Sequence, residues 1–383
     1  MEKDLIIVGS GPIAFAAALF FKDLKIALIS SRPSENLTKP VRLFALAKES
    51  CNLLKKAGLS DQILEEAQAI NQIRVVDHDS HSKVDFFPSS LNLDNFGFFL
   101  DETILTNKLF EKVEELGVEI IQPQDYEIKS KDYCSEVAIG GRTLKTSLIL
   151  VAEGKESIVR QKLGIAVKSH DYKETALVLD ISHKNWPHRG IAVEKFTPSG
   201  PFAILPKSQN GGTESSLVWV EKGLIKRQDL LLLNQEEIHQ LVAKKLDGYL
   251  EPFEIISEIK SFPLKLIQAK DRYKDRIVLV GDAAQAIHPL AGQGFNLGLR
   301  DLKNLSDLVL ERKRLGLDLA SALPDYSISR NFDVELIIGF TSSLTKIFSN
   351  DIWPLKLLRR GGLRLFDSCE LAKKIFIKYA CGL

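Results

Sequence analysis

Two glycine-punctuated segments of this chain carry residue types that bind nucleotides. The first, Gly9-Ser10-Gly11-Pro12-Ile13-Ala14, follows the apolar run Leu5 to Val8. Gly9 permits a tight turn, Gly11 lets a diphosphate approach the backbone, and Ala14 is small enough for close helix–strand packing. The helix that follows offers unpaired amides and the positive end of its dipole to an anion. The second segment runs from Gly281-Asp282 through His288-Pro289 to Gly292-Gln293-Gly294-Phe295-Asn296, after the apolar, β-branched run Ile277 to Val280. A carboxylate at the carboxyl end of such a strand can accept hydrogen bonds from sugar-type hydroxyls. Gly292 and Gly294 allow close backbone approach, and a helix from about Asn296 aims its amides across the same crevice. Negative charge spread over a bound ring would be stabilised there by about 0.3–1 kcal/mol, and by ~2 kcal/mol if partly buried.

The first turn alone also admits a βα connection that holds no ligand, and Asp282 and His288 alone could merely cap a turn. Together the segments describe a site for a flavin dinucleotide. The elements around them agree. Met1 to Ser30 reads as strand, turn, helix and second strand (Ile26 to Ile29), the βαβ context that the glycine fingerprint requires.

The organisation along the chain is interleaved. Residues 1–72, 96–172 and 276–330 alternate buried strands with amphipathic helices, among them a helix over Ile104 to Leu116 and a strand over Leu148 to Ala152. Residues 73–95 and 173–275 are β-rich and punctuated by Pro, Gly, Asn and Ser, with one helix near Gln235 to Gly248. Residues 331–383 read as a helical region. The expected architecture is α/β: a Rossmann-like dinucleotide-binding domain interleaved with an antiparallel β-sheet substrate domain, followed by C-terminal helices.

Composition sets outer limits. A chain of 383 residues, 45% hydrophobic, exceeds one ordinary core, so about two domains are expected. The formal net charge of +1 argues against a nucleic-acid-binding surface. The four cysteines, Cys51, Cys134, Cys369 and Cys381, have no spacing that suggests a disulfide framework or a zinc site, and no metal is expected. No apolar run reaches the ~20 residues of a membrane span, and the amino terminus enters a strand without room for a cleavable signal. A cytoplasmic place is expected.

The run Gly281-Asp282-Ala283-Ala284 through His288-Pro289-Leu290-Ala291-Gly292-Gln293-Gly294-Phe295-Asn296-Leu297-Gly298-Leu299-Arg300-Asp301 resembles the signature of the ubiquinone-biosynthesis flavin monooxygenases, the UbiH/UbiF group of the para-hydroxybenzoate hydroxylase superfamily. Arg42-Leu-Phe-Ala-Leu46, Gly200-Pro-Phe-Ala-Ile-Leu-Pro206, Phe348-Ser-Asn-Asp351 and Lys378-Tyr-Ala-Cys-Gly-Leu383 extend the resemblance over nearly the whole chain. It implies one noncovalent FAD, NADPH or NADH as co-substrate, and O2, one atom of which is inserted into an electron-rich aromatic ring. It implies that Asp282 holds the ribitol, that Gly292 to Asn296 face the pyrimidine end of the flavin, and that Arg42 lies by the FAD phosphates or the entering nicotinamide. Arg32 would stand at the same cofactor, and His288 and Pro289 near the reacting face. The implied substrate is a polyprenylated phenol or benzoquinone precursor of ubiquinone, and other ubiquinone-biosynthesis proteins become candidate partners.

Four positions depart from the family pattern. Ser30 stands where an acidic residue binds the adenosine ribose about 20 residues after the glycine turn. Glu153, before Gly154, replaces an Asp; Glu102-Thr103 replaces an amide-arginine pair; Gln285 replaces a common histidine. These departures keep two alternatives open: a same-fold flavin oxidoreductase acting on another lipid or aromatic substrate, and a non-catalytic scaffold in a biosynthetic complex. From Trp353 to Leu383 there are seven Lys or Arg against two acidic residues, interleaved with apolar ones at helical spacing. That tail is either a peripheral membrane-surface patch or the solvated face of packed helices.

Overall fold

The computed structural model describes residues 2–382 apart from 32–41, 78–81, 123–124, 198, 209, 223–232, 288–291 and 349–365. A mainly parallel sheet forms the amino-terminal part. Its central strand, Glu2–Val8, pairs in parallel with Ile26–Ile29 on one side and Arg142–Val151 on the other, and Ile277–Leu279 continues the sheet in parallel beyond Arg142–Val151. Alternation along the central strand divides its side chains between two cores. Leu5 and Ile7 pack with Phe15, Leu105, Leu109 and Leu299 from the helices Pro12–Phe20, Glu102–Glu115 and Gln293–Arg314. Ile6 and Val8 pack on the other face with Ile149, Val151, Val137 and Leu144, beneath the hairpin strands Ser135–Ile139 and Arg142–Val151. Both faces are covered, which is why the strand is a continuous apolar run. Each buried large side chain, such as Phe15, is worth about 1.5–3 kcal/mol.

The helix after the second glycine loop starts at Gln293, three residues earlier than its sequence suggests. Gly292, in the left-handed region at φ 61°, ends the loop, and Gly294 lies inside the first turn despite its low helix propensity. The Asn296 amide accounts for this. It donates to Ala45 O at 2.8 Å and accepts from Ala47 N at 3.0 Å, holding the first turn against the strand Leu43–Ala47.

A second, nine-stranded sheet contains the long strand Val167–Ser182, with Lys260–Ala269 on one side and Glu214–Lys222, Gly200–Pro206, Ile191–Thr197 and Gln72–Asp77 in order on the other. The expectation of an antiparallel sheet needs one correction, because Ile191–Thr197 pairs with Gln72–Asp77 in parallel. That strand arrives from a distant part of the chain and not through a hairpin, so no tight turn imposes the antiparallel sense. One face of this sheet packs under the helix Gln235–Leu246 through Leu177, Trp219, Val242 and Leu246. The other looks towards the first unit. The helix Glu370–Ala380 closes one end, with Ile377 and Cys381 packed near Phe86 and Phe96.

Among the described residues no helix is long and apolar enough to cross a membrane. The four cysteines are free.

Candidate functional site

A continuous cavity of about 1650 Å³ runs from the first glycine turn, along the carboxyl ends of the parallel strands, into the space between the large sheet and the carboxy-terminal helix. Pockets for ordinary small ligands occupy about 300–1,000 Å³, so this one has room for a dinucleotide and a second molecule.

Its nucleotide end is built by close packing. Gly9 has φ 154°, and a side chain there would place its Cβ 2.5 Å from Ala152 O, where two strand ends converge. Gly11 differs, since a Cβ there would meet no heavy atom within 4 Å. The backbone at Gly11 therefore faces open cavity, as a diphosphate needs. Pro12 opens the helix, and the first intrahelical bond runs from Phe15 N to Gly11 O at 3.2 Å, leaving the first-turn amides of Ile13 and Ala14 as donors for an anion. Ile13 wedges against the second motif: a Cβ on Gly298 would lie 2.5 Å from Ile13 Cδ1.

The end of the second strand carries two adjacent serines. Ser30 is 1% exposed, donates its backbone N–H to Ile121 O at 3.0 Å, and is absent from the cavity wall. Ser31 is on the wall instead, its N–H and Oγ tied to Ser10 Oγ at 2.9 and 3.0 Å. Counting from the glycines places Ser30 at the ribose; its neighbour Ser31 is the serine on the described wall.

Glu153 lines the cavity, and its extra methylene is put to use. The carboxylate accepts hydrogen bonds from Tyr126 OH at 2.8 Å, Ser157 Oγ at 2.6 Å and Val159 N at 2.9 Å, so it caps the short helix Ile158–Lys162 while anchoring Tyr126. Burial and the Glu153 charge hold the Tyr126 phenol well above its ordinary range, which keeps it a donor. Arg160, buried behind this loop, donates to Lys155 O at 2.7 Å and Ala283 O at 2.9 Å. It thereby ties the Gly154 loop to the acidic turn.

Arg42 and Glu102 face each other across the cavity mouth in a two-point ion pair, Nε to Oε2 at 3.0 Å and a terminal guanidinium nitrogen to Oε1 at 3.2 Å. Their elements are clamped by Glu102 N to Arg42 O at 3.0 Å. The Arg42 guanidinium lies 5.1 Å from the centre of the Phe44 ring, which in turn stacks on Phe295 at 4.8 Å. A continuous stack thus joins the arginine to the second glycine loop.

Asp282 sits in the turn Gly281–Ala283 and lines the cavity. Burial pushes its carboxyl above the usual carboxylate range, against the pull of the Arg42 and Lys155 charges. A carboxylate in that position is relieved by hydroxyl donors from a ligand. Gly294 keeps the approach clear, for a Cβ there would stand 3.8 Å from Asp282 Oδ1. A Cβ on Gly292 would stand 3.0 Å from Ala45 Cβ, so the loop lies flat against the strand Leu43–Ala47.

Gln293, Phe295 and Asn296 complete this wall. His288, Pro289 and Arg32 lie outside the described residues, as do 349–365 of the tail. Gln285 is buried away from the wall and donates to Asp301 Oδ2 at 2.7 Å. Of the departures noted in the sequence, then, Glu102 and Glu153 meet the cavity and Ser30 and Gln285 do not.

Sequence reasoning left Asp301 without a role. It is wholly buried and takes Gly281 N at 2.9 Å, Gln285 Nε2 at 2.7 Å and Arg330 Nε at 2.7 Å. The available signal was an acidic residue inside an apolar helical stripe between Leu299 and Leu302.

The diphosphate cradle at Gly11, the hydroxyl-accepting carboxylate at Asp282 and the glycine-lined wall opposite fit FAD. Such a dinucleotide site opening into an apolar chamber is that of a flavin-dependent oxidoreductase with an apolar substrate. Residues 2–314 match the FAD binding domain family. Ubiquinone hydroxylase UbiL of Rhodospirillum rubrum is 34% identical over 390 residues, covering 99% of this chain and 89% of that protein. The 3-demethoxyubiquinol 3-hydroxylase of Escherichia coli K12 is 29% identical over 396 residues, covering 99% and 98%. Among solved structures, p-nitrophenol 4-monooxygenase PnpA from Pseudomonas putida superposes with a TM-score of 0.80 at 16% identity, over 98% of this chain and 97% of that one, a likeness of fold. The chain belongs to the FAD-binding monooxygenase family that includes the ubiquinone hydroxylases.

Proposed function

We propose that this protein hydroxylates a polyprenylated phenol or benzoquinone precursor of ubiquinone, using NADPH or NADH and O2. The observation that carries the reading is the continuity of one cavity, dinucleotide-binding at one end and apolar at the other. Bound FAD supplies hydride acceptance and oxygen activation, and the chain supplies orientation, electrostatics and exclusion of water. In this reading the Gly11 turn binds the diphosphate, Asp282 anchors the ribitol, and the loop Gly292 to Asn296 orients the ring. Arg42 meets phosphate or nicotinamide, and His288 and Pro289 border the reacting face. The large sheet holds the substrate.

The apolar chamber suits a prenyl chain. Ile328, Phe332 and Leu336 are exposed at i, i+4, i+8 spacing on the helix Leu323–Phe348, and Leu371 and Ile375 are exposed beside Lys374 and Lys378 on Glu370–Ala380. Arg300 links the two helices, 3.8 Å from Asp333 and 3.5 Å from Tyr379 O. These exposed residues are the ones we assign to a bilayer surface from which a prenylated substrate enters.

The test is incorporation of labelled oxygen from O2 into a 2-prenylphenol with the FAD-loaded protein and reduced nicotinamide. One labelled atom in the ring product is expected. Full FAD occupancy with nicotinamide oxidation but no label across several tail lengths would overturn this reading in favour of a same-fold oxidoreductase.

A further inference from the structure

The face of the large sheet that walls the apolar chamber is made by alternate residues of its strands. Ile73 and Val75, Ala192 and Phe196, and Ala203 and Leu205 all line it. Glu194 falls between Ala192 and Phe196 on this face, in register with Val75 on one side and Ala203 on the other. It is the carboxyl of that surface. Its sequence neighbours turn the other way, Val193 into the core under the helix Gln235–Leu246 and Lys195 to Asp247 at 3.2 Å.

The charged groups of the adjoining strands are engaged elsewhere. Arg74 pairs with Asp85 at 2.7 Å, both alternating with the cavity-lining Val75, Val84 and Phe86, and Asp77 ends its strand off the cavity wall. The strand Gly200–Pro206 has no ionisable residue. Arg42, Glu102 and Asp282 belong to the flavin end, while Lys265, Arg300 and Tyr379 line other parts of the wall. Among the described residues no side chain donates a hydrogen bond to Glu194 and no cation pairs with it. Burial alone pushes its carboxyl up to about 7, from an ordinary 4.5. Glu194 is half-buried on the cavity wall, and an acid held among apolar groups without a partner costs stability; such groups gather where a ligand completes them. The ligand that completes this one carries a hydroxyl on an otherwise apolar body.

We propose that Glu194 is a catalytic residue that contacts the substrate, its carboxylate accepting the ring hydroxyl of a phenol and taking its proton during hydroxylation. This rests on the hydroxylase reading above. The phenolic O–H bond breaks, its electron pair stays on oxygen and is delocalised onto the ring carbon that receives the oxygen atom, and the proton passes to the Glu194 carboxylate. When that carbon loses its hydrogen as a proton and the ring regains aromaticity, Glu194 returns its proton to the phenolate oxygen. O2 is the oxidant and the reduced nicotinamide the reductant, so Glu194 ends as it began. An acid balanced near neutrality suits the task, because proton acceptance and return are then comparably easy.

The test uses the FAD-loaded protein, Glu194→Gln and Glu194→Asp, with flavin content and melting temperature confirming that each variant is folded. With a 2-prenylphenol, Glu194→Gln is expected to lose about 100-fold in kcat, with KM changing little, and to lose the rise of kcat through pH 7. Glu194→Asp keeps that rise at a lower kcat. A second readout needs no turnover. At pH 9 a prenylated nitrophenolate meets a carboxylate in the wild type and an amide donor in Glu194→Gln, so the variant should bind it about tenfold tighter, while the methyl ether of the same compound binds both equally. Wild-type protein that transfers labelled oxygen, together with a Glu194→Gln variant that matches its kcat, pH profile and nitrophenolate affinity, overturns the role of Glu194 alone. Wild-type protein that transfers no labelled oxygen overturns the hydroxylase reading and this inference with it.

Discussion

The carboxylate of Asp301 accepts the backbone N–H of Gly281 at 2.9 Å, so the acidic turn that presents Asp282 to the cavity hangs from a charge buried one layer behind it. The same carboxylate meets Arg330 at 2.7 Å and Arg272 at 3.9 Å, and both guanidinium groups are buried. Asp301→Ala would leave them without their central counter-charge, and removing one partner of a buried ionic cluster costs about 3–5 kcal/mol. Urea unfolding of the flavin-free protein should register that loss. Equal stability of variant and wild type would mean that the arginines find another anion.

Glu102 offsets the charge that Arg42 brings to the cavity mouth. The Arg42 side chain is 51% exposed, so the pair has the modest value of a surface ion pair, ~0.2–1 kcal/mol. Glu102→Gln should therefore leave folding nearly unchanged while tightening the binding of phosphate-bearing NADPH by a few-fold, with a steeper salt dependence. Titration at two ionic strengths checks both; unchanged affinity at low salt would place Arg42 away from the nicotinamide path.

The two serines after the second strand give opposed expectations. A carboxylate at Ser30 would be buried beside the Ile121 carbonyl, so Ser30→Glu should destabilise the protein by about 2 kcal/mol or more. Ser31→Glu puts the same group on the cavity wall, where a charge-assisted hydrogen bond, about 1.5–3 kcal/mol against 0.5–1.5 for a neutral one, should tighten FAD. Flavin fluorescence titration and thermal melts of both variants separate them. Tighter FAD in Ser30→Glu would return the ribose contact to Ser30.

What the sequence disclosed and what it hid divide along one physical line. The turns at Gly9, Gly11, Gly281-Asp282 and Gly292 were legible because their geometry is local: each has a backbone shape or openness that the residue type itself permits. At Ser30 spacing alone is not enough, because it counts residues, whereas the direction of a side chain at a strand end depends on the last paired position, here Ile29 with Ile121. The start of the helix at Gln293 was hidden by glycines whose low propensity is overridden by the tertiary bonds of Asn296. Glu194 was invisible for a related reason. In Val193-Glu194-Lys195 a charged residue on an alternating strand reads as solvent-facing, and only the covering of that sheet face by the rest of the protein makes it interior.

The exposed apolar stripe Ile328, Phe332 and Leu336 and the Lys374 and Lys378 pair predict separable contributions to bilayer binding. Lys374→Gln with Lys378→Gln should weaken sedimentation with anionic vesicles, by about 1 kcal/mol for each cation lost, and only at low salt. Phe332→Glu should weaken binding to neutral and anionic vesicles alike, because the apolar contact is lost. Wild-type protein that fails to sediment with either vesicle at low salt would leave these residues as an ordinary solvated surface.

Stability as a function of pH gives a test of the chamber that needs neither cofactor nor substrate. The Glu194 carboxyl is raised in the folded protein from 4.5 to about 7, so between these values the native state holds a proton that the unfolded chain has released. Stability attached to this group is fully present below pH 4.5, falls as pH rises, and is gone above about 7. The loss is on the order of 3 kcal/mol at 1.36 kcal/mol per pH unit. Glu194→Gln carries no such proton. The flavin-free variant should match the wild type near pH 4.5 and become the more stable of the two by up to roughly 3 kcal/mol at pH 8. Asp282 is also raised by burial, but it is present in both proteins and cancels in the difference. Urea unfolding of the pair at intervals from pH 4.5 to 8 makes the measurement. A difference that stays constant over that range would mean that Glu194 ionises as freely in the folded chain as in water, and the chamber wall would then be wet at this carboxyl.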